Sequence, residues 1–269
     1  MQRQSCPGGF ILFPLADRKD ETLKIVLITG GSGGIGASVA QQCAAKGMGV
    51  IVTYNSHPQS ALRVVKEIEA SGGHAVALHL DVARTETFGT FRDALLEIVS
   101  ITWEREHIDV LVNNAGFGLF NPIETVTESE FDTLFAVHLK GPFFLTQKLL
   151  PLICDGGHII NVTSATTRVA TAGVAPYAAF KGGLEVLTRY MAKEFGPRRI
   201  RANAVSPGAI RTSLGGGLND EFEALLASQT ALERVGEPDD VGRVIAGLVS
   251  DDGVWINAQS IEVAGGYQI

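Results

Sequence analysis

Cysteine is scarce in this chain, with three residues in 269: Cys6, Cys43 and Cys154. They form no closely spaced pair and their number is odd. A disulfide framework is therefore not expected, and the composition fits a reducing, cytoplasmic setting. Each thiol reads as a small packing residue. Positive charge is also short. The 22 Lys and Arg face 29 Asp and Glu, for a formal charge of −7. That balance repels nucleic acid and anionic membranes, and no basic run offsets it. No segment is apolar for long enough to cross a bilayer. Phe10-Ile11-Leu12-Phe13 is cut by Pro14, and charged residues follow from Asp17 to Glu21. The histidines are scattered without ligand spacing, so no metal site is expected.

What is present suits a large core. Apolar residues make up 45% and charged residues 19% of the chain. Runs rich in β-branched residues at 24–29, 50–54, 75–80, 109–113, 158–162, 201–205 and 260–263 read as strands. Most do not alternate with polar residues, as expected for strands covered on both faces. Helical patterns fall between them at 34–47, 58–70, 88–100, 128–153, 175–195 and 239–249. Short helices are expected within the Gly-rich stretch 208–231. This alternation predicts an α/β fold, a Rossmann-type doubly wound parallel sheet of about seven strands with helices on both faces. Residues 1–22 read as a mobile leader and 23–269 as one domain.

Thr29-Gly30-Gly31-Ser32-Gly33-Gly34-Ile35-Gly36 joins the first strand to the first helix. Glycines there let a phosphate approach the backbone, and the helix N-terminus offers free N–H groups. Further on, Tyr177 and Lys181 lie four residues apart in a helical segment, hence on one face. A neighbouring ammonium favours the phenolate, so the phenol is expected below its usual pKa of about 10. Ser164 ends the fifth strand, where doubly wound folds place ligands.

These segments resemble the short-chain dehydrogenase/reductase family. Thr29, Gly30, Gly34 and Gly36 fill its T-G-x-x-x-G-x-G pattern. Asp81-Val82 is similar to the acidic pair at the adenine, and Asn113-Asn114-Ala115-Gly116 to its N-N-A-G. Tyr177 and Lys181 match Y-x-x-x-K, with Ser164 thirteen residues upstream. Pro207-Gly208, Ile210 and Thr212 resemble the P-G-x-x-x-T turn at the nicotinamide. The resemblance spans about 23–267. It implies a nicotinamide-dependent oxidoreductase that interconverts a carbonyl and a secondary alcohol. Tyr177 would pass the proton, Ser164 would bond the substrate oxygen, and Lys181 would also bond the nicotinamide ribose. Asn113, Ala115 and Gly116, like the glycine loop with Gly31, Ser32 and Ile35, would contact the cofactor.

Two positions depart from the common pattern. His138 stands where the family usually has an asparagine of its catalytic tetrad, in Val137-His138-Leu139-Lys140-Gly141-Pro142-Phe143. In the family this residue shapes a helix kink and its main-chain carbonyl holds a relay water; a carbonyl is present whatever the side chain, so His138 either fills the kink without proton work or carries protons through its imidazole. The second departure concerns the cofactor. NAD-preferring members usually carry a carboxylate at the end of the second strand. Here Tyr54 is followed by Asn55 and Ser56, which can donate to a 2′-phosphate. NADP(H) is favoured, with NAD(H) as the alternative, although Gly33 replaces a common basic residue.

The segments 165–174 and 209–231 are expected to shape the substrate pocket, the second as a mobile lid suggested by Gly215-Gly216-Gly217, with Phe117, Leu119 and Phe120 adding an apolar wall. Among family members the chain looks most like 3-oxoacyl-acyl-carrier-protein reductases. The alternatives are an NAD-linked alcohol or sugar dehydrogenase and a non-catalytic NADP(H) sensor. Phe131, Leu134, Phe135, Phe143 and Leu145, with Leu184, Leu187, Tyr190 and Met191, exceed what one sheet needs to cover. They suggest a homotetramer or homodimer, with ordinary core packing as the alternative.

Overall fold

A computed structural model describes residues 23–269; the expected leader and Cys6 lie outside the described residues. Seven strands form one parallel sheet in the order β3-β2-β1-β4-β5-β6-β7. They are β1 (Ile25–Ile28), β2 (Gly49–Tyr54), β3 (His74–His79), β4 (Ile108–Asn113), β5 (Ile153–Val162), β6 (Arg201–Pro207) and β7 (Ser260–Val263). All four residues of β1 are buried. Their alternate side chains feed two cores: Val26 and Ile28 on one face, Ile25 and Leu27 on the other. This is why the strand reads as an unbroken apolar run rather than an alternating one.

The first core is closed by α1 (Gly34–Ala45), α2 (Pro58–Ala70) and α8 (Pro238–Val249), through residues such as Val39, Val64 and Ile245. The second is closed by α3 (Phe88–Trp103), α5 (Gly141–Leu149) and α6 (Ala175–Glu194), through Leu95, Leu145 and Met191. The sheet reverses order beside β1 and β4. That switch point opens a crevice at the carboxyl ends of the strands, where such folds bind ligands.

The single long helix expected at 128–153 is not continuous. It comprises α4 (Glu128–Phe135), a π-helical turn at Ala136–Lys140, α5, and a short 3₁₀ turn. Thr127 and Glu130 form a capping box that starts α4. Gly141 lets α5 press against β3's outgoing chain: a Cβ there would stand 2.3 Å from the Val82 carbonyl oxygen. The chain widens by one residue per turn just before this contact, and the wide turn carries His138. Strand β5 starts at Ile153, earlier than expected, because its first residue pairs with Ile108 across a register shift.

The apolar residues of α4, α5 and α6 divide into two sets. Leu134, Leu145, Leu184 and Met191 are buried in the core. Phe131, Phe135, Phe143, Phe144, Val186 and Tyr190 are exposed. Leu187 is partly buried against the second core, so of the residues named from the sequence only Phe131, Phe135, Phe143 and Tyr190 form an exposed face, and the rest are core packing.

Candidate active site

The cleft at the switch point encloses about 660 Å³. Its floor is the loop from β1 to α1. Gly30 adopts φ +65 and a Cβ there would lie 2.8 Å from the Ala115 Cα. A Cβ on Gly36 would stand 2.4 Å from the Gly30 carbonyl oxygen. Gly33 precedes α1 and supplies no side-chain cap, so the first N–H groups of that helix face the cleft without a side-chain partner. Uncapped donors, a positive dipole end and space reserved by missing Cβ atoms suit a dinucleotide pyrophosphate. The residues present therefore fit the cofactor implied by the sequence.

Most of the expected cofactor contacts line this cleft. Ser32, Gly34, Ile35 and Gly36 line the loop end. Tyr54, Asn55 and Ser56 close the far wall, and Asp81 and Val82 the side. Ala115 and Gly116, with Pro207, Gly208, Ile210 and Thr212, stand opposite. Thr212 reaches over the loop, its Cγ2 being 3.3 Å from where a Gly34 Cβ would sit.

Three expected contacts turn inward instead. Asn113 is buried, and its amide donates to Asn161 Oδ1 at 2.8 Å and Thr146 Oγ1 at 3.2 Å. It ties β4 to β5 because residue alternation along a strand points its side chain away from the crevice. Asn114 faces the cleft in its place, donating to the Thr29 and Gly30 carbonyls at 2.9 and 3.2 Å. Thr29 is also buried; its hydroxyl accepts from the Asn114 and Ala115 amides at 2.9 and 3.0 Å. Gly31 packs on β2, where a Cβ would meet Val52 at 2.7 Å. These three residues build the cradle without facing the cleft. Phe117, expected in the apolar wall, and Leu214, within the expected pocket segment 209–231, also line the cleft, whereas sequence reasoning missed Asn114 and His57. Asn114 was inside a quoted motif, and only side-chain direction separates it from Asn113.

Ser164, Tyr177 and Lys181 come together at the cleft's inner end. The Ser164 hydroxyl is hydrogen-bonded with the Tyr177 phenol and accepts from the Thr166 hydroxyl at 3.0 Å. Thr163 and Thr167 are turned to Glu185 instead. Lys181 is buried, donates to the Val162 carbonyl at 2.7 Å, and holds its ammonium 5.7 Å from the centre of the Tyr177 ring. Burial lowers the lysine from 10.5 to about 8. Burial raises the phenol above 10, and the Ser164 hydrogen bond opposes that only in part. The expected lowering of Tyr177 by its lysine is thus corrected: the protein's own groups keep the phenol protonated.

His138 lies in the wall beside Tyr177, with ring centres 4.9 Å apart in an edge-to-face arrangement. Its Nε2 is 2.9 Å from the Phe117 carbonyl oxygen, and Nδ1 is buried without a protein partner. The carbonyl can only accept, so Nε2 carries the proton. Burial, with the charge of Lys181 second, pushes the imidazole down to about 3. The ring is neutral near pH 7 and its one N–H ends on a carbonyl. Proton carriage through an imidazolium, raised as an option by the sequence, does not fit this geometry. The ring instead demands Gly116 beside it, where a Cβ would stand 2.8 Å from His138 Cε1.

At the opposite end of the sheet His107, Asp109 and Cys154 bring ligand-type atoms within 4.8 Å of one another, a grouping the sequence did not suggest. Arg105 contacts His107 at 2.6 Å and Asp109 at 3.8 Å, supplying positive charge to the group. Burial and Asp109 push the Cys154 thiol up to about 12, so it is not a thiolate.

Comparison with known proteins agrees with this geometry. A family model described as Enoyl-(Acyl carrier protein) reductase matches residues 30–268. A 3-oxoacyl-(acyl-carrier-protein) reductase FabG of Staphylococcus epidermidis is 37% identical over 245 residues, covering 90% of this chain and 98% of that protein. Elsinochrome reductase 1 of Elsinoe fawcettii is 35% identical over 258 residues, covering 90% and 93%. Among solved structures, the angucycline C-6 ketoreductase LanV with bound NADP superposes with a TM-score of 0.88 at 33% identity, covering 91% of this chain and 95% of that one.

Proposed function

Because the chain belongs to the short-chain dehydrogenase/reductase family, we propose that it is an NADP(H)-dependent carbonyl reductase working through Ser164, Tyr177 and Lys181. The observation that carries this reading is the convergence of Ser164, Tyr177 and Lys181 at the inner end of a dinucleotide-sized cleft, with the Lys181 ammonium 5.7 Å from the Tyr177 ring centre. The cofactor supplies the hydride that reduces the carbonyl carbon. As the carbonyl oxygen gathers charge, Tyr177 donates its proton to it and Ser164 adds a second hydrogen bond, strongest in the transition state. A phenol that stays protonated is already in the form that reduction needs. Lys181, close to Tyr177 and charged below about pH 8, favours the phenolate left behind and would hold the nicotinamide ribose. His138 orients the phenol from the side.

NADP(H) is the favoured cofactor. The solved relative LanV carries NADP, and no carboxylate stands at Tyr54, Asn55, Ser56 or His57 to repel a 2′-phosphate. Asn55 and Ser56 offer neutral donors and no lysine or arginine stands beside them in this stretch, which keeps NAD(H) as the alternative; KM values for NADPH and NADH decide between them. The exposed aromatic face of α4, α5 and α6 supports a homotetramer or homodimer. The scarcity of cysteine, with Cys43 and Cys154 both free, is what supports a cytoplasmic location. Among the described residues no helix is long and apolar enough to cross a membrane.

The test is NADPH oxidation, followed by absorbance, across ketones and 3-oxoacyl thioesters. Tyr177→Phe is expected to lower kcat by about 10²–10⁴-fold while NADPH binding, read by fluorescence, persists. Full turnover in that variant would refute the assignment.

A further inference from the structure

The entrance to the cleft is framed by three segments that leave the sheet, 114–126 after β4, 165–174 after β5 and 208–232 after β6. Their charges are distinctive. Together they hold two cations, Arg168 and Arg211, and four carboxylates, Glu124, Asp220, Glu221 and Glu223. Neither arginine is available to a substrate. Arg211 bonds both Glu223 oxygens, and its Nε donates to Glu237 at 2.9 Å. Arg168 grips Glu262 through Nε and Nη2 at 2.9 and 2.6 Å, and donates to the Tyr267 and Gln268 carbonyls at 2.7 and 2.8 Å. An acyl group delivered on phosphopantetheine or coenzyme A brings phosphates, and a carrier protein adds an acidic surface. The entrance opposes both.

The uncharged parts of the entrance are aromatic and flat. Phe117 lines the cleft, and its ring lies 5.3 Å from His138. Phe120 is 58% exposed. Its ring bridges two of the segments: a Cβ on Gly215 would lie 3.1 Å from Phe120 Cε2, and one on Gly173 would lie 3.7 Å from Cδ1. At Gly118 the chain passes so close to Gly215 that a Cβ would stand 3.0 Å from its nitrogen. Beyond, the lid helix α7 (Asp220–Ser228) buries none of its residues and leaves Phe222 and Leu225 37% and 52% exposed. A short helix gains stability mainly by covering an apolar face; α7 does so only through Leu226, partly buried against Val169 and Tyr267, so Phe222 and Leu225 remain to be covered.

We propose that the substrate is a free, uncharged ketone whose carbonyl belongs to a fused aromatic ring system, held against Phe117 and Phe120 and covered by α7. This rests on the carbonyl-reductase reading and narrows it away from the carrier-bound 3-oxoacyl substrates that the sequence resemblance suggested. Offset or edge-to-face contact with two rings rewards planarity, and the absence of a free cation gives no reward to phosphate.

The test compares kcat/KM of the NADPH-loaded enzyme for 2-tetralone, its saturated counterpart 2-decalone, and acetoacetyl-CoA. 2-Tetralone is expected to exceed each of the others by about tenfold. Phe120→Leu, an exposed position where folding is not at stake, is expected to shrink the tetralone-to-decalone ratio by about fivefold. Preference for acetoacetyl-CoA, or an unchanged ratio in the variant, overturns the inference and leaves the reductase reading standing. If the enzyme binds NADPH but reduces none of the three, nor any other ketone or thioester, the reductase reading itself falls.

Discussion

The two halves of the cleft are built on different principles. On the cofactor side, between β1, α1 and β2, backbone approaches backbone so closely that side chains are excluded. Gly30, Gly31 and Gly36 would each place a Cβ under 3.0 Å from another group. On the substrate side, α7 is held only at its edge, by the Arg211–Glu223 ion pair and by Leu226 against Val169 and Tyr267. Leu214, Phe222 and Leu225 are exposed, and among the described residues no side chain of α7 is buried. The first half is specified by sterics and tolerates almost no substitution. The second is specified by what it will cover, which leaves it free to vary with the substrate.

That contrast can be broken most sharply at Gly36. Replacing it with Ala forces a Cβ into the Gly30 carbonyl and the Asn114 amide, at 2.4 and 2.5 Å. Overpacking of this kind costs about 1–3 kcal/mol, and the displaced loop should weaken NADPH binding by on the order of a hundredfold. Gly33→Ala is its control. There nothing lies within 4 Å and the backbone is extended, so a melting temperature near the parent value is expected. Equal damage from both would show that the loop is not sterically limited.

A smaller effect tests the inner end, where the halves meet. Lys181 is charged below about pH 8 and neutral above it. The kcat/KM for ketone reduction should therefore be level near neutrality and fall about tenfold per pH unit once the lysine deprotonates. A profile flat through pH 10 would remove Lys181 from the proton step. Smaller still is His138→Asn. The imidazole is neutral in the working range, and its one N–H serves the Phe117 carbonyl. The variant should keep kcat within about tenfold of the parent, as expected when orientation alone is perturbed. Collapse of kcat with an intact fold and an altered pH profile would give the histidine a chemical duty.

Much of the cofactor half was legible because its signals are local. A strand, a glycine turn and a helix N-terminus adjoin in sequence, and the i, i+4 spacing of Tyr177 and Lys181 fixes a shared face. Direction and burial were not legible. Asn113 and Asn114 are neighbours of identical chemistry, yet one fastens β4 to β5 and the other faces the cleft. Leu134 and Phe135 are also adjacent, and only the first enters the core. The interruption of the helix at 136–140 was partly legible, since Pro142 removes a helical N–H and the resemblance implies a kink at His138, but the close approach of Gly141 to Val82 was not.

By itself, then, the sequence determined the strand order's raw material, the phosphate-binding turn and the identity of the reacting phenol, since each depends on residues within a few positions of one another. Tertiary structure decided the protonation of that phenol, the neutrality of His138 and the neutralising of Arg168 and Arg211 at the entrance. Those properties are sums over neighbours brought together from distant parts of the chain, through desolvation and charge pairing that decay over a few ångströms of space and take no account of separation in sequence.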